Sequence, residues 1–147
     1  MERKPYEFEL DKITALIQER GARRVGLQLP EGLKTVATEI AAELSKATGV
    51  AVILSGNSCY GACDVDEKLA RIVDILFHFG HIAPQFKQSG YENTLRTVLE
   101  EDYRKKVVFI ELRSTVDIKP VVESAAVALK GDCVGLVATV QHVHALS

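Results

Sequence analysis

VAVILSGNSCYGACDVD (residues 50–66) runs an apolar stretch, Val50 to Leu54, into a loop that holds Cys59 and Cys63 between flanking glycines. The stretch is short and apolar without in–out alternation. Such runs read as strands buried on both faces, which is the mark of a parallel sheet covered by helices. The same grammar recurs on either side. Val25 to Leu29 is an earlier strand, ended by Pro30; Ile75 to Phe79, Val107 to Leu112 and Cys133 to Val140 repeat it downstream. Helical stripes lie between. Leu10, Ile13, Leu16 and Ile17 precede Gly21, and Leu33, Val36, Ala37, Ile40, Ala41 and Leu44 precede Gly49, where a C′ glycine belongs. Further helices are predicted from near Asp64 or Val65, over Tyr91 to Glu101, and over Ile118 to Leu129. Alternating strands and helices predict an α/β fold: a parallel sheet with helices on both faces and right-handed crossovers.

The 147 residues suit one core-forming domain, with apolar content of 47% and charge of 26%. A net charge of −2 gives no nucleic-acid footprint. The short basic clusters, Arg23-Arg24 and Arg104 to Lys106, read as solvated helix ends. MERKPYEFEL at residues 1–10 has no apolar core of a signal peptide, and no apolar run nears the ~20 residues of a membrane span. The expectation is a cytoplasmic protein without membrane contact. In a reducing compartment its three cysteines are not a disulfide framework.

Polar residues gather at one end of these strands. LPEG (29–32), SGNSCYGAC (55–63), FGHIAP (79–84) and VQHVH (140–144) each follow a predicted strand. In open α/β sheets the carboxyl edge is where ligands bind. Cys63 stands just before a predicted helix start, where free N–H groups favour a thiolate, and Gly61 permits close backbone approach. The alternative is a small buried thiol in a tight turn. C-x3-C lacks the C-x-x-C spacing of a redox pair, and Asp66 stands where a common radical-SAM motif has its third cysteine. Cys59 and Cys63 with His78 and His81 also mimic a C2H2 zinc pattern, although His78 lies in a strand and H-x2-H is one residue short. His78 otherwise reads as a strand residue with a satisfied ring, and His81 as the better site candidate. Cys133 reads as a core residue, and His142 and His144 point the same way if extended. Glu31 is a first-turn helix acid or a site residue. No G-x-G-x-x-G, P-loop or G-x-S-x-G motif is present.

Taken together, VGLQLPEGL (25–33), SGNSCYGACDVD (55–66), VDILFHFGHIAP (73–84) and GLVATVQHVHAL (135–146) resemble the diphthamide synthase family, the archaeal 2-(3-amino-3-carboxypropyl)histidine synthases. The match is weakest over residues 85–106. The resemblance implies three related α/β domains, each giving one cysteine to a single 4Fe-4S cluster. It implies cleavage of S-adenosylmethionine and radical transfer of a 3-amino-3-carboxypropyl group to a histidine of elongation factor 2, by a homodimer. Carried over by residue, the cysteine of Tyr-Gly-Ala-Cys-Asp is Cys63, the metal ligand of this chain; Cys59 becomes its neighbour. The resemblance also implies that Glu31 and His81, which fall in family motifs, line the cofactor pocket. Ile82 departs from a frequent serine after HFGH. On this resemblance residues 1–130 are the first domain and 131–147 the first strand of a truncated second one. The chain alone is then an inactive fragment. Two alternatives remain: a small zinc-binding module using Cys59, Cys63, His78 and His81, and a non-catalytic α/β scaffold.

Overall fold

The computed structural model describes residues 5–83, 105–131, 133–135 and 137–146. Its centre is a four-stranded, wholly parallel sheet. The strands are β2 (Arg24–Gln28), β3 (Ala51–Leu54), β4 (Ile75–Phe79) and β5 (Val107–Ile110), in spatial order β3-β2-β4-β5. A short antiparallel pair, β1 (Tyr6–Glu7) with β6 (Arg113–Ser114), stands beside it. The two-residue strands of this pair are too short to leave a periodic signal in sequence.

The sheet is covered on both faces. Odd positions of β2 and β4 (Val25, Leu27, Ile75, Phe77 and Phe79) join Ile13 and Ile17 of α1 (Leu10–Glu19) and Ile40 and Leu44 of α2 (Ala37–Thr48) in the main core. The 3.6-residue period of the helices thus meets the two-residue period of the strands along one seam. On the opposite face Leu76 meets Leu69 and Ala70 of α3 (Glu67–Ile72). A Cβ on Gly26 would lie 2.8 Å from Leu76 Cδ1 and 3.0 Å from Leu69 Cγ, so α3 closes onto the sheet where β2 has no side chain. The predicted α/β architecture is the one found.

Local differences have local causes. The second helical stripe starts as a 3-10 helix over Glu31–Val36 and becomes α-helical only from Ala37. It ends at Gly49, whose φ of 73° is left-handed and whose N–H donates to the Ser45 carbonyl at 2.8 Å. The last helix, α4, spans Lys119–Ala126 and buries none of its residues. The expected strand over Cys133 to Val140 does not form: its described residues carry no regular structure up to a turn at Val140. The same absence leaves Cys133 exposed, not in a core. The helix expected over Tyr91 to Glu101 lies outside the described residues.

Chain order sets where a site can form. From central β2 the chain steps outward to β3, returns to β4 on the other side, and continues to β5. Adjacent β2 and β4 therefore send their connections in opposite directions. The crevice at their carboxyl ends is a topological switch point.

Candidate functional site

The parallel register aligns Gln28, the last residue of β2, with His78 of β4. Both side chains are buried, on the face opposite the main core, beside the N-terminus of α3. The Gln28 carboxamide has its orientation fixed by the backbone: Nε2 donates to the Asp64 carbonyl, and Oε1 accepts the Asp66 N–H at 2.9 Å. The same Oε1 lies 3.0 Å from His78 Nδ1. An amide oxygen carries no proton, so Nδ1 of His78 must be the N–H donor. Burial, with a smaller effect from His81, pushes the His78 pKa down to about 4. The ring is thus neutral near pH 7 and its lone pair sits on Nε2.

That lone pair faces two further groups. His78 Nε2 is 3.0 Å from His81 Nδ1 and 3.8 Å from Cys59 Sγ. His81 follows Gly80, whose φ of 81° turns the chain at the end of β4. Cys59 is fully buried, and burial, then the negative charge of Asp64, pushes its thiol up to about 11. One ligand atom from each of Cys59, His78 and His81 lies within 4.8 Å of the others. With the thiol pKa raised and the histidine pKa lowered, no thiolate–imidazolium pair forms here. The arrangement is not that of a Cys–His nucleophile.

The loop carrying the cysteines is braced from three sides. Glu31 Oε1 accepts the Lys34 Nζ at 2.6 Å and the Cys59 N–H at 3.3 Å. The Glu31 N–H donates back to the Cys59 carbonyl at 3.2 Å. Lys34, the main cause of the lowered Glu31 pKa, also donates to the carbonyls of Gly56 and Asn57. Asp64 Oδ2 accepts the N–H groups of Tyr60 at 2.8 Å and Gly61 at 3.0 Å, and these hold its carboxyl below the usual range. Asp66 caps α3 by accepting the Leu69 N–H at 3.0 Å and receives the Ser55 hydroxyl at 2.7 Å.

Cys63 is held differently from Cys59. It is exposed, with Sγ 3.8 Å from Asp64 Oδ1. It does not stand at the helix start: α3 begins at Glu67, and Asp66 caps it by accepting the Leu69 N–H, so the helix end expected to favour a Cys63 thiolate lies further along the chain. Of the predicted site residues, Glu31 touches the Cys59 backbone and His81 joins His78, while Cys63 faces outward from the same loop.

The fourth predicted loop reaches this edge without a strand before it. Gln141 Nε2 donates to the Gly80 carbonyl at 2.9 Å, and the Gln141 carbonyl accepts the Ser114 N–H at 2.9 Å. A 3-10 turn over Val143–Leu146 replaces the extended backbone expected for His142 and His144. A cavity of about 510 Å³ lies there, lined by Pro30, Leu33, Gly80, Gln141 and His142 among others. Gln28, Lys34 and Asp64 went unnoticed in the sequence. For Gln28 a signal existed: a lone amide inside the apolar run VGLQL is a polar residue set to be buried.

Comparisons with known proteins agree with the motifs. The family model for diphthamide synthesis proteins matches residues 29–147. The 2-(3-amino-3-carboxypropyl)histidine synthase subunit 1 of Nematostella vectensis is 36% identical over 146 residues, covering 96% of this chain and 28% of the relative. The protein of that name from Homo sapiens is 32% identical over 146 residues, covering 96% and 30%. Crystal structures of Dph2 from Pyrococcus horikoshii, one of them with a 4Fe-4S cluster, superpose with a TM-score of 0.62 at 25% identity. They cover 83% of this chain and 32% of theirs. The chain thus spans under a third of the length of these relatives.

Proposed function

Because this chain belongs to the family of diphthamide synthesis proteins, we propose that it serves the first step of diphthamide formation. In that step a 3-amino-3-carboxypropyl group passes from S-adenosylmethionine to a histidine of elongation factor 2. When bound, a 4Fe-4S cluster supplies the reducing electron for radical cleavage of S-adenosylmethionine.

The observation that carries this reading is the exposure of Cys63 on a braced loop at the carboxyl edge of a sheet like that of Dph2. Clusters of this type are held by cysteine thiolates. Cys63 fits as one such ligand, since its sulfur is open to solvent and its loop is anchored through Asp64. Cys59 does not fit a cluster that cysteines from outside these residues must also reach, since its thiol has no exposed surface. Cys133 is exposed but lies away from these loops in sequence and belongs to no described helix or strand. Glu31 holds the loop that carries Cys63, and His81 presents an imidazole at the same edge; both line the S-adenosylmethionine pocket in this reading. One thiolate leaves the other cluster positions to cysteines outside these residues. The 147 residues alone are therefore proposed to be inactive, with residues 1–130 as a first domain and 131–147 opening a second. The assembled enzyme is proposed to be a cytoplasmic homodimer.

Anaerobic reconstitution of the full reading frame with iron and sulfide tests this. Cluster absorption and transfer of labelled carbon from S-adenosylmethionine to elongation factor 2 are expected. Both should disappear in Cys63→Ala and persist in Cys59→Ala. Equal loss in the two variants overturns the ligand assignment.

A further inference from the structure

We propose that Cys59, His78 and His81 form a binding site for a single divalent ion of the zinc class, separate from the Cys63 thiol. This goes beyond the family reading and does not rest on it.

The spacing suits such an ion. Zinc takes Cys sulfur near 2.3 Å and His nitrogen near 2.0–2.1 Å in tetrahedral geometry, which sets the N–N edge at about 3.3 Å and the S–N edge at about 3.6 Å. Here the corresponding separations are 3.0 Å for His78 Nε2 to His81 Nδ1 and 3.8 Å for His78 Nε2 to Cys59 Sγ. The third separation, within 4.8 Å, closes by a shift of His81, which sits past the strand end and is only half-buried.

The surroundings are built for a ligand histidine. Histidines that bind metal donate the other ring N–H to an oxygen, which fixes the tautomer and raises the basicity of the ligating nitrogen. Gln28 Oε1 does this for His78 Nδ1, and two backbone groups hold Gln28 itself. The result is a lone pair held in place before any ion arrives. Thiolate with imidazole selects zinc and similar ions over calcium or magnesium.

Binding balances simply. The ion displaces the Cys59 thiol proton to solvent, as a metal does for a coordinating thiol. His78 gives up no proton. His81 passes its proton from Nδ1 to Nε2 through solvent, with no net change. Three protein ligands leave a fourth position for water or another donor, as in zinc sites that bind small molecules.

Cobalt(II) is the probe, because it replaces zinc and its thiolate bond absorbs in the near ultraviolet. Titrating the 147-residue chain should give one Co²⁺ per chain with a sulfur-to-cobalt charge-transfer band, displaced by Zn²⁺. Cys59→Ser should abolish the band. His81→Ala, at a half-buried loop position and so the safer variant for folding, should weaken binding by about 100-fold or more, beyond the 10–100-fold cost of losing an outer partner. Cys63→Ser should leave both band and affinity intact. A band that survives Cys59→Ser, or one lost with Cys63→Ser, overturns the assignment. So does a folded chain, by circular dichroism, that takes up no cobalt; the cluster would then be a hydrogen-bonded group only. Loss of the iron–sulfur cluster in Cys63→Ala with cobalt binding retained separates this proposal from the family reading.

Discussion

Gln28 and His78 stand opposite each other on adjacent parallel strands, and the Gln28 carboxamide oxygen accepts the His78 Nδ1 proton at 3.0 Å. That one bond joins the sheet register to the chemistry of the site. It selects the tautomer and points Nε2 at Cys59 and His81, while two further bonds of the same carboxamide tie the loop at Asp64 and Asp66 to β2.

Gln28→Leu keeps the size of the side chain and removes all three hydrogen bonds. It leaves the Asp66 N–H and the His78 Nδ1–H without partners in a buried place. Each unsatisfied buried group costs about 1–3 kcal/mol, so a loss of at least about 2 kcal/mol is expected. Urea unfolding should show a lower midpoint at an unchanged slope. A midpoint equal to that of the parent would show that the network contributes nothing net.

How far this was legible in the sequence follows from range. Val25 to Leu29, Ile75 to Phe79 and the helices around them were readable because burial on both faces leaves uninterrupted apolar runs. Gly49 was readable because a helix C-terminus needs a left-handed residue. The grouping of LPEG, SGNSCYGAC and FGHIAP at one edge followed from strand direction alone. The pairing of Gln28 with His78 did not, because the register between β2 and β4 is set by packing across a 46-residue crossover. Cys59, His78 and His81 were legible as part of the zinc-like pattern, and the structure brings one ligand atom of each within 4.8 Å of the others while Cys63, the fourth residue of that pattern, is exposed. Cys133 to Val140 misled because hydrophobicity marks what can be buried, not whether the chain pairs it into a sheet.

Asp74 makes the stability of the fold sensitive to acid. Its carboxylate accepts the Arg23 N–H at 2.9 Å and the Arg24 N–H at 2.8 Å, and these hold its pKa below the usual value. The folded pKa is then lower than the unfolded one, near 3.9 for Asp. This contribution is fully present above the unfolded pKa and is lost as pH falls through the folded pKa. Asp74→Asn should therefore lower Tm at neutral pH, and the two melting curves should converge in strong acid. A constant gap at every pH would assign the loss to shape and not to charge.

Gly80 sits where a side chain fits only with strain. Its φ is 81°, and an added Cβ would lie 2.8 Å from Pro30 Cγ. A left-handed residue with a Cβ costs about 1–2 kcal/mol, and overfilling a packed place costs about 1–3 kcal/mol more. Gly80→Ala should lose about 2 kcal/mol or more by thermal unfolding. It should also shift His81, seen as a changed imidazole resonance. Gly32→Ala is the control, since a Cβ there meets nothing within 4 Å.

Lys34 restrains the cysteine loop without supporting the core. It donates to Glu31, Gly56 and Asn57, and it is partly exposed. Exposed ion pairs contribute about 0–1 kcal/mol, so Lys34→Ala should barely move the unfolding midpoint. Local opening is a separate quantity. Amide hydrogen exchange over residues 56–59 should quicken, while exchange in β2 and β4 stays slow. Unchanged exchange at 56–59 would mean that Glu31 alone holds the loop.

The three thiols should separate into two classes. Cys63 and Cys133 are exposed, while Cys59 has no exposed surface. The thiolate is the reactive form, and the Cys59 pKa rises from 9.0 to about 11. That rise alone lowers its thiolate fraction by about 100-fold near neutral pH, since each pKa unit is a factor of ten. Burial slows it further, because reagent must wait for the loop to open. A metal-free native chain treated with a disulfide reagent should therefore release two equivalents quickly and the third only in denaturant. Cys63→Ser should remove one fast equivalent, whereas Cys59→Ser should leave both. If Cys59→Ser removed a fast equivalent instead, the buried thiol facing His78 would have to open readily, and the braced loop could not be the dominant state in solution.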